Sequence, residues 1–263
     1  MNEKLFIRIS RKHIAFAVFD PADTAQPVSY QPYQAKAGIS IAANMREAFK
    51  TEPLLSASYQ RVMVLINSPV LMVPIDLYDE QQKETFYLHS FPSQRADCLL
   101  TDVLPDLSCV AIYAVGRDLK MVIDDHFPQA QYLCSNMPVW RHLHQRSFTG
   151  LRSKLYAYFH DDSLELFSFQ QNRFKFCNTF EVTSLNDSLY FLLYVWRQLN
   201  LQQQHDELHL VGDIPHQEEL MAELRRYLRR AYVINPTADF NRQPITQIKG
   251  MPYDLMTLIV KGR

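Results

Sequence analysis

Glycine is scarce in this chain. There are six in 263 residues, where a usual share of roughly 7% would supply about eighteen. They stand at Gly38, Gly116, Gly150, Gly212, Gly250 and Gly262, with no two close together. Phosphate-binding loops of the G-x-x-x-x-G-K-[ST] and G-x-G-x-x-G kinds need two or three within a few residues, so both are excluded. No G-x-S-x-G, H-E-x-x-H, EF-hand or zinc-ribbon spacing is present either. The four cysteines, Cys98, Cys109, Cys134 and Cys177, include no C-x-x-C pair. Cys109 and Cys177 sit among apolar, strand-like neighbours, which suits free thiols better than disulfides or metal ligands. No apolar run approaches the ~20 residues of a membrane helix. Met-Asn-Glu-Lys leads at once into a strand pattern without the apolar core of a signal peptide, so a cytoplasmic protein is expected. A net charge of −1 provides no global field for nucleic acid or an anionic membrane, and neither is expected as a partner.

What is present is ordinary in amount and informative in order. The 47% hydrophobic and 21% charged residues are those of a globular protein with length for one large or two medium domains. "FIRISRKHIAFAVFD" (6–20) alternates apolar and polar residues around Ser10–His13, as a β-hairpin does. Val28–Gln34 reads as a third strand, and Ile39–Phe49 as a helix with Ile41, Met45 and Phe49 four apart. "RVMVLIN" (61–67) is an apolar strand suited to burial on both faces. The second half repeats this order. Strands at 153–160, 163–169 and 173–182 are followed by a helix that Ser184 or Asn186 can cap, running to Leu199. A strand at 207–213, a helix at 217–230 and a strand at 231–235 complete it. A duplicated β-β-β-α-β unit predicts two related α/β lobes around a cleft. The expected boundary is near Phe148-Thr149-Gly150, giving lobes 1–150 and 151–263, with an inserted α+β subdomain at about 68–130.

Three stretches carry a resemblance. "LVGDIPHQEELMAELRRYL" (210–228) looks like the adenosine segment of the actin-like ATPase superfamily, whose fold is ribonuclease H-like. "VMVLINSPVLMVPIDLYDEQQKETFYLHSF" (62–91) looks like the strand, connection and helix of the actin-like type IV pilus assembly proteins. There the insertion continues with segments similar to "CVAIYAVGRDLKMVIDDHF" (109–127) and "QAQYLCSNMPVWRHLHQ" (129–145). Overall the chain resembles a bacterial family with a degenerate actin-like fold.

The departures from that pattern decide the functional expectation. The superfamily's first phosphate loop places Asp and then Gly at the end of strand one, where this chain has Arg8, Ile9 and Ser10, then Arg11 and Lys12. The second loop again wants Asp-x-Gly, and the equivalent turn is His160-Asp161-Asp162-Ser163. Of two adenosine-loop glycines only Gly212 remains, followed by Asp213. A residue with a Cβ resists positive φ and keeps backbone away from a phosphate. Ser10, Arg11, Lys12, His160, Asp161, Asp162, Gly212 and Asp213 therefore form the candidate cleft site, read as degenerate nucleotide loops. A nuclease of this fold would need a carboxylate on the first strand, and Leu5–Ser10 contains none.

Other clusters take plainer readings. His142 and His144 lie two apart in a helix and point to different sides, and His205 precedes the strand bearing His209. Solvated or structurally paired histidines are expected, with no metal. Arg225, Arg226, Arg229 and Arg230 at the end of a helix that starts with Glu218 and Glu219 complement its dipole. The helix over 185–199 is apolar nearly all round, which predicts burial on several sides. Two functions follow: a non-catalytic actin-like scaffold or adaptor that binds a protein partner through a peptide segment, with no cofactor, or a divergent ATPase using ATP and Mg²⁺. For the first, Val70, Leu71, Met72, Tyr78 and Phe86 in the insertion are the candidate partner surface. The plainer alternative has Val70, Met72 and Ile75 packing the insertion's own small core.

Overall fold

The computed structural model describes residues 3–94, 97–148, 150–171 and 173–262. Met1 and Asn2, Thr149 of the expected boundary turn, and Asn172 lie outside the described residues. The chain divides into two compact units, Met1–Met137 and Pro138–Arg263. No described helix is long and apolar enough to cross a membrane.

The first unit opens with an antiparallel meander of β1 (Lys4–Ile9), β2 (Ile14–Phe19) and β3 (Val28–Tyr33). Ser40 then caps α1 (Ile41–Thr51), its side chain accepting from the Ala43 N–H. Such a cap contributes about 1 kcal/mol. β4 (Arg61–Ile66) runs parallel to β1, as its unbroken apolar run requires for burial on both faces. The chain next leaves the main sheet for β5 (Val70–Pro74), α2 (Lys83–Ser90), β6 (Leu99–Leu104) and β7 (Cys109–Ala114). It returns through α3 (Arg117–His126) to β8 (Gln131–Cys134), which pairs with β4. The main sheet has the order β3-β2-β1-β4-β8, and the inserted sheet β5-β7-β6.

The sheet of the insertion ends with β7, and α3 packs on α1 of the main layer, with Phe49 stacked on His126 at 3.7 Å. The insertion's core uses the opposite parity from the plainer alternative. Val73, Tyr87 and Ile112 form the centre, with Leu71 and Tyr78 packed against them. Alternation along β5 sends Val70 and Met72 to the other face, and Ile75 is exposed.

α4 (Met137–Ser147) starts at the division, and from Pro138 it belongs to the second unit, which continues with β9 (Lys154–His160), β10 (Ser163–Gln170), β11 (Arg173–Glu181) and α5 (Leu185–Gln198). β12 (Glu207–Gly212), α6 (Gln217–Tyr227), β13 (Ala231–Val233), α7 (Pro236–Asp239) and α8 (Tyr253–Lys261) complete it. The sheet order is β11-β10-β9-β12-β13, which repeats the first unit's order strand for strand. β9 is parallel to β12 and antiparallel to β10, as β1 is to β4 and β2.

The division falls upstream of the turn at 148–150 because α4 is tied to the second unit. Trp140 Nε1–H donates to Glu165 at 3.1 Å, and His142 Nε2 meets Asp239 at 2.9 Å. Lys154, on the first position of β9, donates from Nζ to the Arg146 carbonyl at 3.1 Å. α5 departs from its expected all-round burial. Leu192, Val195 and Trp196 enter the core, while Tyr190 and Tyr194 are 60% and 47% exposed and stack on each other.

Candidate functional site

Each unit brings one group of the expected residues together. In the first, Ser10 closes the β1–β2 turn: its N–H donates to the His13 carbonyl at 2.8 Å, and its Oγ accepts from the His13 N–H at 3.1 Å. Ser10 is buried, while Arg11 and Lys12 form the exposed tip. Neither has a positive φ. Beside the turn, the Asn67 N–H donates to the Ile9 carbonyl at 2.8 Å, so the residue after β4 sits against the end of β1.

The second unit repeats this junction with opposite charge. His160 pairs with Ser163, which leaves Asp161 and Asp162 as a two-residue loop. Both have positive φ, 46° and 59°. Two consecutive left-handed residues are what a tight hairpin of primed type demands, and Asp tolerates that region better than most side chains. The expectation that lost glycine also loses the positive φ is therefore corrected: the backbone shape survives, with two carboxylates on it. The Asp213 N–H donates to the Phe159 carbonyl at 2.9 Å, mirroring Asn67 and Ile9. This places Gly212 and Asp213 beside the acidic turn. Gly212 has φ +93°, and a Cβ there would lie 2.1 Å from the Phe159 carbonyl oxygen. His160 stacks on Tyr158 at 4.4 Å, with Nδ1 3.6 Å from Asp161 Oδ2.

His142, His144 and His209 have structural partners, while His205 is exposed. His142 joins Tyr253 and Arg146 at Asp239, whose carboxylate is almost wholly buried. Burial pushes the Asp239 carboxyl up, but the bonds from His142 and Tyr253 and the Arg146 charge outweigh it, and the net shift is downward. His144 Nε2 lies 3.1 Å from the Gln171 carbonyl. His209 is held by Glu207 at 3.1 Å between the rings of Tyr156 and Tyr232. All four cysteines are free, with Cys109 and Cys134 buried, and burial pushes the Cys109 thiol up to about 12.

One feature of the first unit escaped the sequence reading. A groove of about 550 Å³ lies along β6, with Leu99, Leu100 and Thr101 on one side and Lys120, Asp124 and Tyr132 on the other. β6 ends the inserted sheet and β8 ends the main sheet, so two strand edges border it. Cys98 O accepts from Val115 N–H, which sets the ladder so that Leu99 and Thr101 turn their backbone groups away from β7, toward the groove. Asp102 of β6 links the two edges, its Oδ2 accepting from the Cys134 N–H of β8 at 2.6 Å, while its Oδ1 accepts from the hydroxyl of Tyr113 on the neighbouring β7 at 3.3 Å. Of the expected surface residues, Leu71 and Tyr78 pack inward, and Val70, Met72 and Phe86 are half-buried. No local motif signals the groove, because it depends on where the insertion returns to the main sheet.

Two five-stranded sheets of identical order, the second-layer helices and an insertion between β4 and β8 define a protein with the actin-like ATPase fold. The chain belongs to the family described as "Protein of unknown function (DUF3822)", which it matches over residues 1–231. A solved structure from Bacteroides thetaiotaomicron, a protein with actin-like ATPase fold and unknown function, is similar at 26% identity and TM-score 0.81. The match covers 94% of this chain and 96% of that one. A chain of the PilM–PilN type IV pilus biogenesis complex is similar in fold, with TM-score 0.61 at 10% identity over 97% and 96% of the two chains. No curated protein matches.

Proposed function

We propose that this protein is a non-catalytic actin-like scaffold that binds an extended segment of a protein partner and uses no nucleotide. The observation that carries the first part is the pair of equivalent turns. A phosphate held by backbone N–H groups needs a bare, close approach and a positive local field. Arg11-Lys12 and Asp161-Asp162 put long or acidic side chains at both turns, and Asp213 adds a third carboxylate beside the second. Three carboxylates together repel a polyphosphate. The one reading they favour instead is a divergent ATP-binding protein in which those carboxylates hold Mg²⁺, with Gly212 keeping the adenosine-loop backbone. That is the alternative.

Support for the second part comes from the groove along β6. Edge strands offer main-chain donors and acceptors at two-residue spacing, which is how an extended peptide is captured by β-augmentation. The PilM–PilN complex names a two-protein assembly for one chain of similar fold. A photoreactive residue placed at Thr101 should trap a defined partner in cells, whereas one at Asp213 should not. Trapping at Asp213 with none at Thr101 would move the working surface to the turns of the second unit.

A further inference from the structure

The second unit carries a basic, aromatic edge that the proposed groove does not use. α6 ends in Arg225, Arg226 and Tyr227, and Arg229 and Arg230 precede β13. Helix polarity accounts for basic residues in the last turn. It does not account for what surrounds them. Arg226 is held by Glu223 at 2.9 Å, but Arg225 and Arg229 have no carboxylate within ion-pair distance among the described residues. Both are exposed. Tyr227 on α6, and Tyr232 on the opposite face of the sheet against His209, are 47% and 42% exposed, and the Arg230 guanidinium reaches the Tyr232 hydroxyl at 3.5 Å.

The strand beside them ends its sheet. Leu208 N–H donates to the Arg230 carbonyl and Ile234 N–H to the Leu210 carbonyl. In a parallel ladder the intervening residues alternate, so Ala231 and Val233 turn N–H and C=O away from β12; Ala231 is 6% exposed, and the half-buried Val233 carries the accessible pair. Exposed Arg and Tyr are the side chains that dominate protein interfaces, and here they occur on the elements next to the outward N–H and C=O of Val233. We infer that the α6–β13 edge is a docking surface for an extended acidic segment of a partner protein. The segment's carboxylates meet Arg225 and Arg229, its backbone adds to β13, and its remaining side chains lie against Tyr227 and Tyr232. A nucleic acid would use the charge and leave the strand edge idle, which is why a peptide is the better fit.

The test uses the whole chain and a fluorescently labelled twelve-residue peptide of alternating Glu and Val. Anisotropy should report saturable binding at low salt that weakens as salt screens the pairing. The R225E/R229E double variant, checked for an unchanged melting curve, should lose about tenfold or more in affinity. Tyr232→Ala, read the same way, should also weaken binding. The same peptide N-methylated at alternate positions should bind worse, because it cannot pair with the strand. Equal binding by the charge-reversed variant, equal binding by the N-methylated peptide, or equally tight Arg-dependent binding of duplex DNA would each overturn the inference.

Discussion

Asp161, Asp162 and Gly212 separate two reasons for finding a glycine where a chain turns. At the β9–β10 turn only the torsion is demanding, and aspartate meets it. At Gly212 the torsion is positive and the neighbouring Phe159 carbonyl also occupies the space of a Cβ. Gly212→Ala should therefore lower unfolding stability by at least about 2 kcal/mol in urea titration. A loss within about 0.5 kcal/mol would show that the β9–β12 junction relaxes freely. His209 offers a pH readout. Burial between Tyr156 and Tyr232 holds its imidazole below the ordinary value of 6.5, against the opposing bond from Glu207, with Lys154 and Arg146 also disfavouring its charge. Above pH 6.5 neither folded nor unfolded state takes the proton. As pH falls below 6.5 the unfolded state binds it first, so this contribution to stability declines toward the depressed folded value. His209→Gln should flatten that decline in denaturation midpoints measured between pH 7 and pH 5. An unchanged slope would assign the pH dependence to other groups.

Among the elements, the ones legible in the sequence are those set by short-range pattern. Ser184 does cap α5, its side chain accepting from the Asp187 N–H, and the strands of both meanders lie where alternation puts them. The errors come from what pattern alone cannot weigh. Tyrosine counts as apolar in a periodicity reading, yet Tyr190 and Tyr194 face outward and keep their hydroxyls in water. Leu192→Ala, at a fully buried position of the same helix, should cost about 2–5 kcal/mol. Replacing Tyr190 and Tyr194 together by Ser should cost less than about 1 kcal/mol. A large loss in the tyrosine variant would mean that this face is covered in the folded protein. Along β5 alternation alone sets no register against a partner strand, so Leu71/Val73 and Val70/Met72 are equally good core faces, and Tyr87 of α2 decides which one is covered.

At the scale of the molecule, duplication was the strongest signal, because each half repeats the same element order and each sheet then takes the same strand order. The break between units was harder to place. α4 reads as the end of the first half, but its attachments are long-range in sequence, from Trp140 to Glu165 and from His142 to Asp239. The residues after β13 were silent for a similar reason: α8 is buried almost throughout, and a short apolar helix has no periodicity to show. On the scaffold reading, this actin-like chain binds no nucleotide at its two charged turns. A thermal melt with and without ATP and Mg²⁺ at millimolar concentration tests it most directly. A ligand at 100 times its Kd adds about 2.7 kcal/mol, which moves a melting temperature by several degrees. Superimposable curves are expected. A rise that disappears in Asp161→Ala or Asp213→Ala would contradict the scaffold reading and make the protein a divergent nucleotide binder.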